Sequence, residues 1–182
     1  MAELLTKKEQ RDLLKIARET ITSYVGSGSI PAVETASRGL NLESGCFVTI
    51  KQHGQLRGCI GNFVSDKPLY RLVQEMAVSA ATRDPRFYPM KQQDLADFEL
   101  EISVLSPLEL ISSTDVIKVG THGIYLVKNG SRGVLLPQVA TEYGWDRDAF
   151  LRHTCLKAGL PENAWQKDCQ IYIFSALVFG EE

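Results

Sequence analysis

Cys46-Phe47-Val48-Thr49-Ile50-Lys51-Gln52-His53-Gly54-Gln55-Leu56-Arg57-Gly58-Cys59-Ile60-Gly61 is the stretch whose reading sets the fold. Two runs of strand-forming residues, 46–51 and 55–60, flank Gln52-His53-Gly54, which suits a three-residue hairpin loop with Gly54 in the left-handed conformation. That loop sets Ile50 opposite Leu56 and Thr49 opposite Arg57. Val48, Ile50, Leu56 and Ile60 then share one apolar face, and Arg57 and Cys59 lie together on the other. A two-residue loop would set Arg57 against Ile50, pairing a charge with an aliphatic side chain, and is the poorer match.

Upstream, Thr6-Lys7-Lys8-Glu9 matches a capping box, so a helix is predicted to start there. Leu13, Ile16, Ala17, Ile21 and Tyr24 repeat at helical spacing, and Gly26 and Gly28 end the helix before Pro31. Downstream, Pro68 opens a second helix whose stripe of Leu69, Leu72, Val73, Met76, Ala77 and Ala80 calls for a sheet to pack on. Two prolines in Arg83-Asp84-Pro85-Arg86-Phe87-Tyr88-Pro89 stop it. Residues 98–104 alternate as a half-buried strand, and Asn129-Gly130 between 124–128 and 131–136 is a hairpin signal. A short helix from Pro137 and another capped by Asp146 and ended by Gly159 follow. Residues 169–179 are apolar at alternating and intervening positions alike, the pattern of one interior strand covered on both sides. Hairpins with segregated helices indicate an α+β fold built on a mainly antiparallel sheet, with helices packed on it.

With 182 residues, 44% of them hydrophobic, the chain is expected to form one domain or two closely packed lobes. Its 22 acidic and 20 basic residues are interspersed, which argues against a nucleic-acid footprint. Met1-Ala2-Glu3-Leu4-Leu5-Thr6-Lys7-Lys8 lacks the apolar core of a signal peptide, and no apolar run has membrane-spanning length, so a cytoplasmic location is expected. Cys46, Cys59, Cys155 and Cys169 show no C-x-x-C spacing and read as free thiols, with no metal site expected and no cofactor indicated.

At Leu56-Arg57-Gly58-Cys59-Ile60-Gly61 the sequence resembles the AMMECR-type domain family, also called AmmeMemoRadiSam system protein A. Ala81-Thr82-Arg83-Asp84-Pro85-Arg86-Phe87, Ile102-Ser103-Val104-Leu105-Ser106, Leu135-Leu136-Pro137-Gln138-Val139 and Cys155-Leu156-Lys157-Ala158-Gly159-Leu160 resemble its further blocks, in order. The resemblance implies a single domain over 6–180 with a larger and a smaller lobe, the latter a hairpin-plus-helix lobe around 120–165. It implies association with Memo-type and radical S-adenosylmethionine proteins. The family is poorly characterised and supplies neither a settled activity nor agreed catalytic residues.

Candidate site residues therefore rest on chemistry. Cys59 beside Arg57 reads as a nucleophilic thiolate near a guanidinium, or as a half-buried strand cysteine beside a surface arginine. Gly58 and Gly61 mark a close approach by a ligand, or crowding where the second helix crosses the sheet. Arg86 is a candidate for gripping an anion, unless Asp84 takes it as an ion-pair partner while Phe87 pins the loop. His122 is a candidate general base if the fold brings it near Cys59. Glu99 and Glu101 are read as a solvated edge rather than a cation site, and His53 and His153 as solvated. Trp145 and Trp165 are read as packing around the helix capped by Asp146. Two functions stand level: an enzyme or enzyme partner acting on a small anionic or electrophilic substrate, and a non-catalytic adaptor for a Memo-type or radical-SAM protein.

Overall fold

A computed structural model of the chain describes residues 4–181; Met1, Ala2 and Glu3, the start of the stretch read for a leader, fall outside them. In chain order the elements are α1 (Lys7–Ser27), β1 (Cys46–Gln52), β2 (Gln55–Asn62), α2 (Leu69–Thr82), β3 (Glu99–Leu105), β4 (Glu109–Ile111), β5 (Gly123–Lys128), β6 (Ser131–Leu135), α3 (Pro137–Glu142), α4 (Arg147–Lys157), β7 (Gln170–Phe174) and β8 (Ala176–Gly180). They divide into two compact units, one running up to Leu105 and resuming at Leu177, the other Ser106–Ala176.

In the larger unit α1 starts at the predicted capping box. The Glu9 N–H donates to Thr6 Oγ1 (3.2 Å) and the Thr6 N–H to Glu9 Oε2 (2.8 Å). The same carboxylate accepts the Ser37 hydroxyl (2.6 Å) and the Gly39 N–H (2.9 Å), tying the following loop to the helix start. These bonds, the Ser37 hydroxyl foremost, lower the Glu9 pKa to about 2. The sheet has the order β2-β1-β3-β8. Cys46, Val48 and Ile50 of β1 and Leu100, Ile102 and Val104 of β3 are buried with Leu13 and Ile21 of α1 and Leu69, Val73 and Ala77 of α2. Each such aliphatic side chain contributes roughly 2 kcal/mol by leaving water. Burial also pushes the Cys46 thiol up to about 12, which makes it inert.

The smaller unit has the sheet order β4-β7-β5-β6. Its hairpin turns at Asn129 (φ 50°) and Gly130 (φ 83°), and the register runs without interruption from Lys128 opposite Ser131 to Ile124 opposite Leu135. Asp146 Oδ1 accepts the Ala149 N–H (2.8 Å) at the start of α4, whose Phe150, Leu151 and Cys155 pack with Leu126 and Ile171.

The fold is α+β, with antiparallel strand pairing and helices packed on the sheets. One predicted element differs. Residues 169–179 form two strands in different sheets: β7 is interior to the second sheet, whereas β8 ends the first. The break falls at Ser175, whose carbonyl accepts the Ser106 N–H (2.8 Å) and whose N–H donates to Ser106 Oγ (2.8 Å). Both strands are apolar, so the hydrophobic pattern carries no mark of the change of sheet.

Candidate functional site

The β1–β2 hairpin is tighter at its tip than the sequence suggests. His53 (φ 52°) and Gly54 (φ 74°) form a two-residue turn with both residues left-handed, which sets Gln52 opposite Gln55 and Lys51 opposite Leu56. The pairing then slips at a bulge between Ile50 and Lys51, beyond which Ile50 faces Gly58, Thr49 faces Cys59 and Val48 faces Ile60. Arg57 is the extra residue. The predicted register is corrected accordingly. Leu56 is 42% exposed rather than in the core, and Thr49 faces Cys59 rather than Arg57, which has no partner in the ladder. The two-residue turn is tolerated because the bulge takes Arg57 out of the ladder, so its charge never faces Ile50 in a regular pair. Its guanidinium instead lies 3.7 Å from Asp94 of a short 3₁₀ turn, Gln92–Ala96.

β2 is a terminal strand, and at Cys59 its open side is closed by the loop that follows α2. Asp84 Oδ2 accepts the Cys59 N–H (2.9 Å). The same carboxylate receives Arg86 through Nε on Oδ1 (3.0 Å) and Nη2 on Oδ2 (2.8 Å), and the Arg86 N–H on Oδ1 (3.1 Å). Arg86 Nη2 also lies 3.5 Å from the Cys59 carbonyl. The Asp84 side chain is only 2% exposed and that of Arg86 is 55% exposed. A buried carboxylate is stable only when charge and lone pairs are matched, and here the bidentate guanidinium and two backbone N–H groups supply that. The Arg86 side-chain bonds above all hold the Asp84 carboxyl well below the usual carboxylate range. On the thiol side, the Thr49 hydroxyl donates to Cys59 Sγ (3.2 Å).

The structure thus brings together Cys59 and Arg86 through Asp84. Gly58 and Gly61 are explained by crowding: a Cβ at Gly58 would sit 2.1 Å from the Ala80 carbonyl oxygen of α2, and one at Gly61 would sit 2.3 Å from the Phe47 ring. His122 belongs to the smaller unit, where its Nδ1 accepts the Lys118 N–H (3.1 Å). Glu101 is paired with Lys51 (3.0 Å). His153, read as solvated, instead stacks on Trp145 at 3.8 Å between centroids. Thr49 went unnoticed in the sequence because its place opposite Cys59 depends on the bulge. Among the described residues no group of three or more His, Cys, Asp or Glu side chains is arranged to hold a metal ion, and no helix is long and apolar enough to cross a membrane.

Similarity to known proteins extends along nearly the whole chain. The protein MK0488 of Methanopyrus kandleri is 43% identical over all of this chain and 93% of its own length. A protein of Methanothermobacter thermautotrophicus is 42% identical over 98% of this chain and 97% of its own. Among solved structures, the uncharacterized protein PH0010 from Pyrococcus horikoshii superposes with a TM-score of 0.86 at 36% identity, covering 99% of this chain and 95% of that one. The AMMECR1 family model matches residues 14–179, and the chain belongs to that family.

Proposed function

We propose that the protein is an enzyme, or an enzyme's dedicated partner, that handles a small anionic or electrophilic substrate at the Leu56–Gly61 strand. The observation that carries this reading is the buried Asp84 holding Arg86 beside Cys59. Two guanidinium nitrogens are committed to the carboxylate, and the exposed remainder is free to receive an anion. Cys59 is then the attacking group. Arg57 is a further substrate contact in this proposal, reached if a ligand displaces Asp94. A cytoplasmic site of action accords with four free thiols.

Alkylation tests the reading. Iodoacetate and iodoacetamide differ in charge but deliver the same electrophile, so Arg86 should favour the anionic reagent at Cys59, and Arg86→Gln should abolish that preference. If Cys59 shows no preference for iodoacetate and Cys59→Ala loses no cellular function, the reading fails.

A second reading is favoured by Tyr88, which stands 89% exposed two residues beyond Arg86. Large exposed aromatics suit protein contacts, and a non-catalytic adaptor for a Memo-type or radical-SAM protein would use it. Co-purification from the native host with native chain and with Tyr88→Ser separates the two: a partner lost on substitution supports the adaptor, and none in either case removes it.

A further inference from the structure

The two edges of the larger unit's sheet are treated differently. β2 is closed at Cys59 by Asp84 and Arg86, whereas β8, Ala176-Leu177-Val178-Phe179-Gly180, ends the sheet with no charged residue and no proline along it. Exposed edges usually carry such residues, because a bare edge invites another strand. The Glu181 N–H points inward, to the Leu100 carbonyl (3.0 Å), so strand alternation turns the N–H and C=O groups of Val178 and Gly180 outward. Val178 is 48% exposed.

Beside this edge runs a groove of about 1110 Å³ whose opposite wall is α1. Lys7, Arg11, Lys15 and Arg18 line it, against the carboxylates of Glu99 and Glu181. The groove is therefore positive in a chain whose net charge is −2. Arg18 is neutralised by Glu181 through Nε and Nη2 (both 2.6 Å), and Lys15 lies 3.8 Å from Glu19. Lys7 and Arg11 have no anionic partner among the described residues. Spacing is the second match. Residues four apart on a helix are about 6 Å apart along its axis. Alternate residues of an extended chain are about 6.7 Å apart. The 7–18 segment of α1 and the five residues of β8 each span roughly 17 Å.

We infer that this groove docks an extended peptide segment of a partner protein that carries acidic side chains at alternate positions. The segment adds as a further strand on β8, its main chain bonding to Val178 and Gly180. Its carboxylates fall along the row of Lys7, Arg11 and Lys15. Main-chain pairing supplies the attachment and the cationic row supplies the selectivity. A second copy of this chain is a poorer occupant, because its own basic row would meet the first.

The test uses the full chain and a dye-labelled peptide of alternating Glu and Val, about eight residues long so as to span β8. Fluorescence polarisation should show binding that weakens with salt, and a Lys/Val peptide of the same length should bind at least about tenfold more weakly. Lys7→Glu with Arg11→Glu, both on the exposed face of α1, should cost about tenfold or more with circular dichroism unchanged. Methylating alternate backbone nitrogens of the Glu/Val peptide should also abolish binding, since methylation removes the strand donors and leaves the charges. The inference is overturned if the two peptides bind alike, if charge reversal leaves affinity unchanged, or if N-methylation is harmless. Self-association through β8 that the peptide fails to compete would overturn it in favour of a second copy.

Discussion

The β1–β2 and β5–β6 hairpins solve the same problem, and only one of them departs from regularity. Each turns on two left-handed residues, His53-Gly54 in the first and Asn129-Gly130 in the second. Each is crossed by a helix whose backbone approaches a glycine of the second strand: the Ala80 carbonyl of α2 over Gly58, and the Thr154 carbonyl of α4 over Gly133, where a Cβ would lie 2.1 Å and 2.5 Å from the oxygen. In both, a side chain at the crossing would push the helix off the sheet. β5 and β6 then pair without interruption. β1 and β2 are bulged, and the outer side of β2 is engaged at Cys59 by Asp84. Bulges re-aim side chains next to functional sites, and this one puts Cys59 opposite Thr49 and sends Arg57 to Asp94. What separates the two hairpins is therefore the added chemistry, not the packing.

The largest expected effect breaks that difference. Asp84→Ala leaves Arg86 without its partner and the Cys59 N–H unsatisfied, and should cost about 3–5 kcal/mol in urea unfolding. Because the Asp84 carboxyl is held below its ordinary pKa in the folded state, its stabilisation is complete above about pH 4 and is lost as the pH falls through the lowered value. The gap between native chain and Asp84→Ala should hold from pH 7 to 5 and narrow on further acidification; a gap that stays constant at low pH would place the effect elsewhere. Next come the shared crossings. Gly58→Ala should destabilise by about 3 kcal/mol and Gly133→Ala by about 2 kcal/mol, both through overpacking against helix backbone. Losses under about 0.5 kcal/mol would mean that the helices slide aside, and the two hairpins would no longer share a constraint. The smallest effect concerns the turns. His53→Asn should raise stability by about 0.5 kcal/mol, since asparagine accepts φ near 52° more readily, and the exposed contact of His53 with Asp97 contributes little. A decrease would show that this contact outweighs backbone preference.

These differences also explain what could be read in advance. Asn129-Gly130, the Thr6–Glu9 capping box and the Asp146 cap each depend on residues within four positions of one another, so local sequence suffices. The β1–β2 register depends on a bulge between Ile50 and Lys51 that the local alternation of residues does not mark, so a local reading places Leu56 in the core, where the structure leaves it exposed. At the site, the choice between Arg86 as an anion grip and Arg86 as a partner of Asp84 is not exclusive in three dimensions: it is paired on one side and open on the other. Thr49 and the Cys59 amide acquire their roles only through tertiary pairing. The switch of sheet at Ser175 was illegible for a different reason, because strands on either side of it are equally apolar.

That switch has a topological consequence. The chain leaves the larger unit after Leu105 and re-enters it at Leu177, and the two crossing points are tied at Ser106 and Ser175. Viewed as connectivity, the smaller unit is a guest inserted between two neighbouring strands of its host, β3 and β8. Its entry and exit lie side by side, the arrangement under which insertions are tolerated without rearranging what surrounds them. A tight turn joining Leu105 to Ala176 would turn β3 and β8 into an ordinary hairpin. The host sheet would keep its strand order with the guest removed.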